Sequence, residues 1–294
     1  MSGSEAEIAR LLRRVEAEHD LFEPAVDGWS AWQLLRFAAA AELARGSPQS
    51  PSGPRLWGRA DLVTRGVADW ARYVRLPRAR VLVKTFVSAL AEVQENCLYR
   101  DVFFDDVLDV VESYVKLEVQ NAPARPAHRP PAATTAGIDL GARVLARFRP
   151  SRDVAAVAGH LSDVVSRELG IAAFDRETLE RRLLAFRWAR RLYGRVLDRV
   201  RPQAVLVADT SEFELFAAAK ERGIRCIELQ HGIFTRNHPD ALGATAAAHR
   251  ERVIVPDALL LFGPYWEDEL RAGSFYRDEL RVTGSPRIDR FRTR

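Results

Sequence analysis

The sequence predicts an α/β fold: a parallel sheet preceded by a large helical region. Two observations carry this. From residue 203 onward, short apolar runs rich in β-formers alternate with helical stretches of about ten residues, as in a parallel sheet with right-handed crossovers. Those runs are continuously apolar, as strands are when helices cover both faces. Before residue 80 the apolar spacing is helical instead. The expected division is a helical N-terminal region at 1–79 and a Rossmann-like α/β domain at 80–294, interrupted by a Pro/Ala loop at 122–136.

Taken in order, residues 5–20 place Ile8, Leu11, Leu12 and Val15 on one helix face behind a Ser4 cap. Asp27-Gly28 breaks the chain before a second helix at 30–45, which carries Trp32, Leu34, Leu35 and Phe37. The Ser/Pro/Gly-rich stretch 46–54 reads as a surface loop, and helical spacing resumes at Trp57 and runs through Val63, Val67 and Trp70. Strands are expected at 80–86 and 114–119, with a short helix at 103–111 between them. The Pro/Ala loop holds four prolines and His128; structureless loops of this length are uncommon and tend to be functional or mobile. Helices at 139–147, 152–168 and 175–200 lead into the regular part. There, strands at 204–208, 225–229, 258–262 and 280–283 are joined by helices at 211–222, up to about 250, and 265–271.

Composition narrows the function classes. With 47% hydrophobic and 29% charged residues, the 294-residue chain can build a large core. The net charge of +4, from 44 basic and 40 acidic residues, is not that of a polycation. The arginines of 175–200 share their helix with the apolar stripe of Leu183, Leu184, Phe186 and Leu197, so they read as a solvated face and not as a nucleic-acid surface. Cys97 and Cys226 are expected to be reduced core thiols, and no Cys/His spacing suggests zinc. No secretory signal core follows Met1, and no apolar run approaches the roughly 18 residues of a membrane span. A cytoplasmic protein is the expectation, with a peripheral seat on the inner face of the membrane left open.

The chemistry is expected where strand ends carry polar residues or glycines. In open parallel sheets, ligands bind outside the carboxyl ends of the strands. Four such ends converge: Asp209-Thr210-Ser211-Glu212, Gln230-His231-Gly232, Gly263-Pro264-Tyr265 and Gly284-Ser285-Pro286-Arg287. An imidazole can exchange a proton near neutrality, since its unperturbed pKa is about 6.5. His231 is therefore the candidate catalytic group, with Asp209 placed to bind a ligand hydroxyl. Gln230 offers an amide, and Gly232 offers close backbone approach. His238 is a second polar contact or a turn cap, and Arg287 presents a fork suited to phosphate. Ser211 with Glu214 also fits a capping box. Tyr265 and Trp266 read as core or staple residues, Asp105-Asp106 as a solvated face, and His19, His128, His160 and His249 as surface or structural histidines.

One set of segments resembles a known family. Glu228-Leu229-Gln230-His231-Gly232, His238-Pro239, Pro256-Asp257, Leu261-Phe262-Gly263-Pro264-Tyr265-Trp266 and Val282-Thr283-Gly284-Ser285-Pro286-Arg287-Ile288-Asp289 look like bacterial surface and capsular polysaccharide glycosyltransferases of the GT-B type. The likeness spans roughly 203–291, with a fainter echo at Asp27-Gly28-Trp29-Ser30-Ala31-Trp32. The closing segment is also similar to nucleotide-sugar 2-epimerases.

The resemblance implies half of a GT-B architecture, acting on the acceptor side of sugar transfer from a nucleotide-activated donor. The site residues would be His231 and Asp209, with Gln230, Gly232, His238, Ser211, Gly263, Gly284 and Arg287 around the substrate. It implies no metal and no cofactor, the nucleotide sugar being a co-substrate. The expected partners are that nucleotide sugar and a glycan acceptor, with no nucleic acid. In such enzymes a second Rossmann-like domain follows this segment, so the expectation is that the donor domain is absent here or sits on a partner chain. Two other readings stand beside this one: a non-catalytic glycan-binding or assembly module, and an epimerase-like isomerase.

Overall fold

The computed structural model describes residues 4–45, 56–87, 92–93, 98–120, 126–208, 212–285 and 288–289. Three helices come first: α1 (Glu5–His19), α2 (Gln33–Arg45) and α3 (Leu56–Arg75). Ser4 caps α1 in a full capping box: its hydroxyl accepts from the Glu7 amide, and the Glu7 carboxylate accepts from the Ser4 amide. Between α1 and α2 the chain makes a two-residue antiparallel ribbon, Ala25–Val26 against Trp29–Ser30. Its turn is Asp27-Gly28, with φ of 52° and 87°. A two-residue turn with both φ angles positive is the tight kind that Asp-Gly favours.

Seven parallel strands follow: β1 (Val81–Val87), β2 (Tyr114–Gln120), β3 (Ala133–Thr134), β4 (Ala204–Val207), β5 (Arg225–Leu229), β6 (Ala258–Leu261) and β7 (Leu280–Val282). Their order across the sheet is β7-β6-β5-β4-β1-β2-β3. Read from the other edge, this is the 3-2-1-4-5-6 order of the Rossmann fold with a seventh strand added. Winding reverses between β1 and β4, which makes that pair the topological switch point. Helix α4 (Asp105–Leu108) lies between β1 and β2. Helices α5 (Ala136–Phe148), α6 (Arg152–Leu169) and α7 (Arg176–Val200) connect β3 to β4. Then α8 (Phe213–Lys220), α9 (Ala244–Ala247) and α10 (Pro264–Arg271) separate the remaining strands.

The pleat sorts the strands' side chains onto two unequal faces. Leu82, Leu117, Val205, Val207 and Cys226 pack against α3, α5, α7 and α8, and Leu259, Leu261 and Leu280 continue that face under α1, α2, α6, α9 and α10. Val83, Leu206 and Leu229 point the other way, where Phe104 and Leu108 of the α4 region cover them. Among the described helices, only α4 packs on this second face. Full helical cover of both faces, expected from the apolar strands, is therefore not what the described residues build. Because right-handed crossovers that step from β4 towards β7 all deliver their helices to the same side, the opposite side of β4–β6 keeps Ile227 and Leu260 only half-buried.

The N-terminal helices share one core with the sheet, and α1 and α2 also pack with Phe234, Ala241 and Leu242 of the segment after β5. Buried polar contacts reinforce that packing. Glu16, 2% exposed, accepts from Trp32 Nε1 at 2.9 Å and from Arg36 Nε at 2.6 Å. The Arg36 guanidinium also donates to the carbonyls of Pro239 and Ala241. On α7, Arg187 and Arg190 are buried and clamp Asp27 of the N-terminal ribbon, with Asp153 and Glu221 as further partners. The solvated-face reading of that arginine series thus fails for these two, which are internal cross-links.

Asp105-Asp106 is a second correction. Asp105 is fully buried and holds Lys116 Nζ of β2 at 2.9 Å, with Asp101 at 3.1 Å from the same ammonium, while Asp106 pairs with Arg100. A charge placed on an apolar strand needs partners of this kind. The Cys226 thiol is buried, and burial pushes it up to about 12. Cys97 and the 46–54 loop lie outside the described residues.

Candidate active site

The carboxyl ends of β4, β5, β6 and β7 open onto a pocket of about 560 Å³. Its floor is the thinly covered sheet face, formed by Leu206, Leu229 and Leu260, and the α4 region closes one side with Val102, Phe103 and Val107. The strand-end residues Gln230, His231, Phe262, Thr283, Gly284, Ser285 and Asp289 form the rim. His231 is half-buried and stands edge-on to Phe86 at the end of β1, with ring centroids 6.4 Å apart. Phe86 in turn packs on Phe103 at 5.7 Å. The imidazole therefore sits beside the switch point and at the mouth of the pocket.

Gln230 is 2% exposed, and its amide is already committed. Its Oε1 accepts from the Phe262 amide and its Nε2 donates to the Gly232 carbonyl, both at 2.9 Å, while its backbone N–H donates to Leu260. Gln230 straps β5 to β6 and fixes the turn that presents His231. These bonds give Gln230 a structural hold on the turn, beside the substrate contact expected of it from the sequence. Gly232 faces open space, since a Cβ built there would meet nothing within 4 Å. At Gly284 the backbone itself demands glycine: φ is +85°, and the turn hands the chain from β7 to Ser285, whose carbonyl accepts from the Asp289 amide at 3.0 Å. Gly263 is extended and caps α10, with Pro264 at the first helical position.

The structure separates His238 from His231. His238 lies edge-on to Phe234 at 5.0 Å, its Nδ1 accepts from the Asp240 amide at 3.2 Å, and it lines a different cavity, between α1 and α2. The bond from the Asp240 amide is the turn cap that was one of its two expected roles. Asp209, Ser211 and Arg287 lie outside the described residues. Helix α8 begins with Glu212 at its N-cap position and no side-chain cap bond. His249 pairs with Asp20 at 2.6 Å and His19 with Glu168 at 3.4 Å.

Sequence reasoning missed a polar cluster buried under the switch point. Lys84, on β1 beside Val207 at the end of β4, is paired with Glu212 and lies 5.1 Å from the centre of the Tyr193 ring. Burial works against its charge, but the Glu212 carboxylate and its neighbours more than offset that and hold the ammonium well above its usual range. Asp139, which accepts from the Thr135 hydroxyl at 3.3 Å, and Glu214 complete the cluster; burial pushes both carboxyls up, against the pull of Lys84. The available signal was a lysine inside the otherwise apolar run Val81-Leu82-Val83-Lys84.

This cluster sets a pH dependence. A carboxyl whose folded pKa lies above its unfolded value binds its proton more tightly in the native state, so native stability rises as pH falls from the folded pKa towards the unfolded one, and that gain is lost again as pH rises through the folded pKa. Glu214→Gln should therefore stabilise the protein at pH 7 and flatten its stability between pH 7 and about 4.5. Each unit of displacement corresponds to about 1.4 kcal/mol. Urea melts of the variant and parent across that range check this; a variant less stable than the parent at pH 7 would contradict it.

No family model matches this chain, and neither does any curated protein or solved structure, so the site stands on its own geometry.

Proposed function

We infer that this chain is the acceptor-side half of a glycosyltransferase that draws on a nucleotide-activated sugar to build a surface polysaccharide. One observation supports this above the others: an imidazole stands at the mouth of a pocket beside the switch point of a Rossmann-ordered sheet, and among the described residues that pocket's wall holds no lysine or arginine. A nucleoside diphosphate needs cations or helix N-termini around its phosphates. A lining whose described residues bring no lysine or arginine fits a hydroxyl-bearing acceptor better.

On this reading His231 takes the proton from the acceptor hydroxyl as it attacks the anomeric carbon, and the nucleoside diphosphate leaves with the glycosidic electron pair. Gln230 holds the imidazole in place through the Gly232 carbonyl. Asp209, in the sequence between β4 and α8, is proposed to orient the acceptor, and Arg287 to face the donor's phosphates. The donor site, whether on a partner chain or elsewhere, is part of the proposal, as are a cytoplasmic location and a peripheral seat on the membrane. Among the described residues, no helix is long and apolar enough to cross a membrane.

The test is incubation with UDP-, dTDP-, GDP-, CDP- and CMP-sugars, with and without glycan acceptors, in cell extract and with the purified chain. Acceptor-dependent release of the nucleotide is the expected result. Consumption of a nucleotide sugar without acceptor would favour the epimerase-like reading. Acceptor binding with no nucleotide release under either condition would favour a non-catalytic glycan-binding module.

A further inference from the structure

The pocket below His231 is more apolar than a bare sugar requires. Its floor of Leu206, Leu229 and Leu260 belongs to the sheet face that, among the described helices, only α4 covers, and Phe103, Val107 and Ile288 complete the walls. Among the described residues, the polar ones of the lining stand at the strand ends: Gln230, which is bonded to Phe262 and Gly232, and His231, Thr283, Ser285 and Asp289 on the side where a ligand's polar end would lie. A free glycan buried against this floor would strip water from hydroxyls that find no partners, at about 1–3 kcal/mol for each. The volume of about 560 Å³ suits a small molecule, since ligand pockets run to roughly 300–1,000 Å³.

We propose that the site takes a compact amphiphile whose ring-sized hydrophobic body lies on Leu206, Leu229 and Leu260 while its hydroxyl-bearing end meets His231 at the rim. Within the transferase reading, on which this assignment of substrate class rests, the acceptor is a glycoside or alcohol with a hydrophobic aglycone and not a plain sugar. The thinly covered sheet face is thus the specificity element: it stabilises the complex by burying the aglycone and leaves the polar end exposed to the donor side. The apolar contact operates whether or not transfer follows.

The experiment is a fluorescence titration of the full chain with 2-naphthol and with 2-naphthyl β-D-glucoside, using methyl β-D-glucoside as the competitor. Saturable one-to-one binding of both naphthyl probes is expected, with no displacement by the methyl glycoside. Leu260→Lys should weaken both probes at least tenfold. Because that residue is half-buried, Ile288→Lys, at a position 52% exposed, is the second variant and should weaken them several-fold with the fold undisturbed. Absence of saturable binding, or binding unchanged in both variants, overturns the proposal. Supplying nucleotide sugars separates the two readings. Probe binding without transfer to any naphthyl glycoside, with nucleotide sugars supplied in cell extract as well as to the purified chain, leaves the pocket standing and removes the transferase. Equal transfer to methyl and naphthyl glycosides does the reverse.

Discussion

His231→Ala should lower acceptor-dependent turnover by 10²–10⁴-fold while leaving the melting temperature within a degree or two of the parent. That range is what a positioned general base contributes, and it corresponds to about 3–5 kcal/mol of transition-state stabilisation. The fold should survive because the turn is held by the Gln230 strap, whose bonds to Phe262, Gly232 and Leu260 do not involve the imidazole. The loss should fall on kcat more than on KM, since proton abstraction is felt in the transition state. Gln230→Ala makes the contrast: it orphans the Phe262 N–H and the Gly232 carbonyl, loosens the turn and should cost stability as well as rate. Turnover unchanged in His231→Ala would take the imidazole out of the chemistry, and the pocket would then be read as a binding site alone.

Much of this architecture is legible in the sequence because its strands are apolar and its helices periodic. The strand at 225–229 and the helix at 175–200 fall within a residue of their observed bounds, and the Ser4 cap is realised in full. What escaped is what depends on contacts distant in the chain. Ala133–Thr134 joins the sheet through only two residues of pairing with β2, too short for any pattern to mark. The helix expected after a polar loop and running up to about 250 is confined to Ala244–Ala247; the segment before it makes turns and is held by Arg13 and Arg36 from the N-terminal helices.

The site shows the same division. His231 and Gly284 announce themselves by their place after apolar strands, but the structural hold of Gln230 shows only once its partners on β6 are seen. His238 sits only seven residues after His231, yet it belongs to another cavity, because the intervening chain turns away to pack on α2. Lys84 and Lys116, each inside a buried strand, were visible as anomalies; which carboxylates would answer them was not.

Arg36→Met should destabilise the chain by about 3–5 kcal/mol, the usual consequence of leaving one member of a buried ion pair without its partner. Arg36 and Glu16 are each 2% exposed, so neither charge has water to fall back on. The substitution strands the Glu16 carboxylate with only the Trp32 N–H, and it also orphans the carbonyls of Pro239 and Ala241. At roughly 2–4 °C per kcal/mol for domains somewhat smaller than this chain, the melting temperature should fall by upward of about 5 °C. Arg36→Lys should recover only part of this, because a single ammonium cannot reach the carboxylate and two carbonyls as the guanidinium fork does. The ionic part can be isolated: Glu16→Gln keeps an acceptor for Trp32, so the double variant should be more stable than Arg36→Met alone by at least about 1 kcal/mol. Whatever deficit remains belongs to the two carbonyls, and therefore to the hold of the N-terminal helices on the chain that leaves His231. If the double variant were no more stable than Arg36→Met alone, the pair would contribute packing and not charge, and the link from α2 to the active-site loop would rest on Arg36's carbonyl contacts and the apolar core around them.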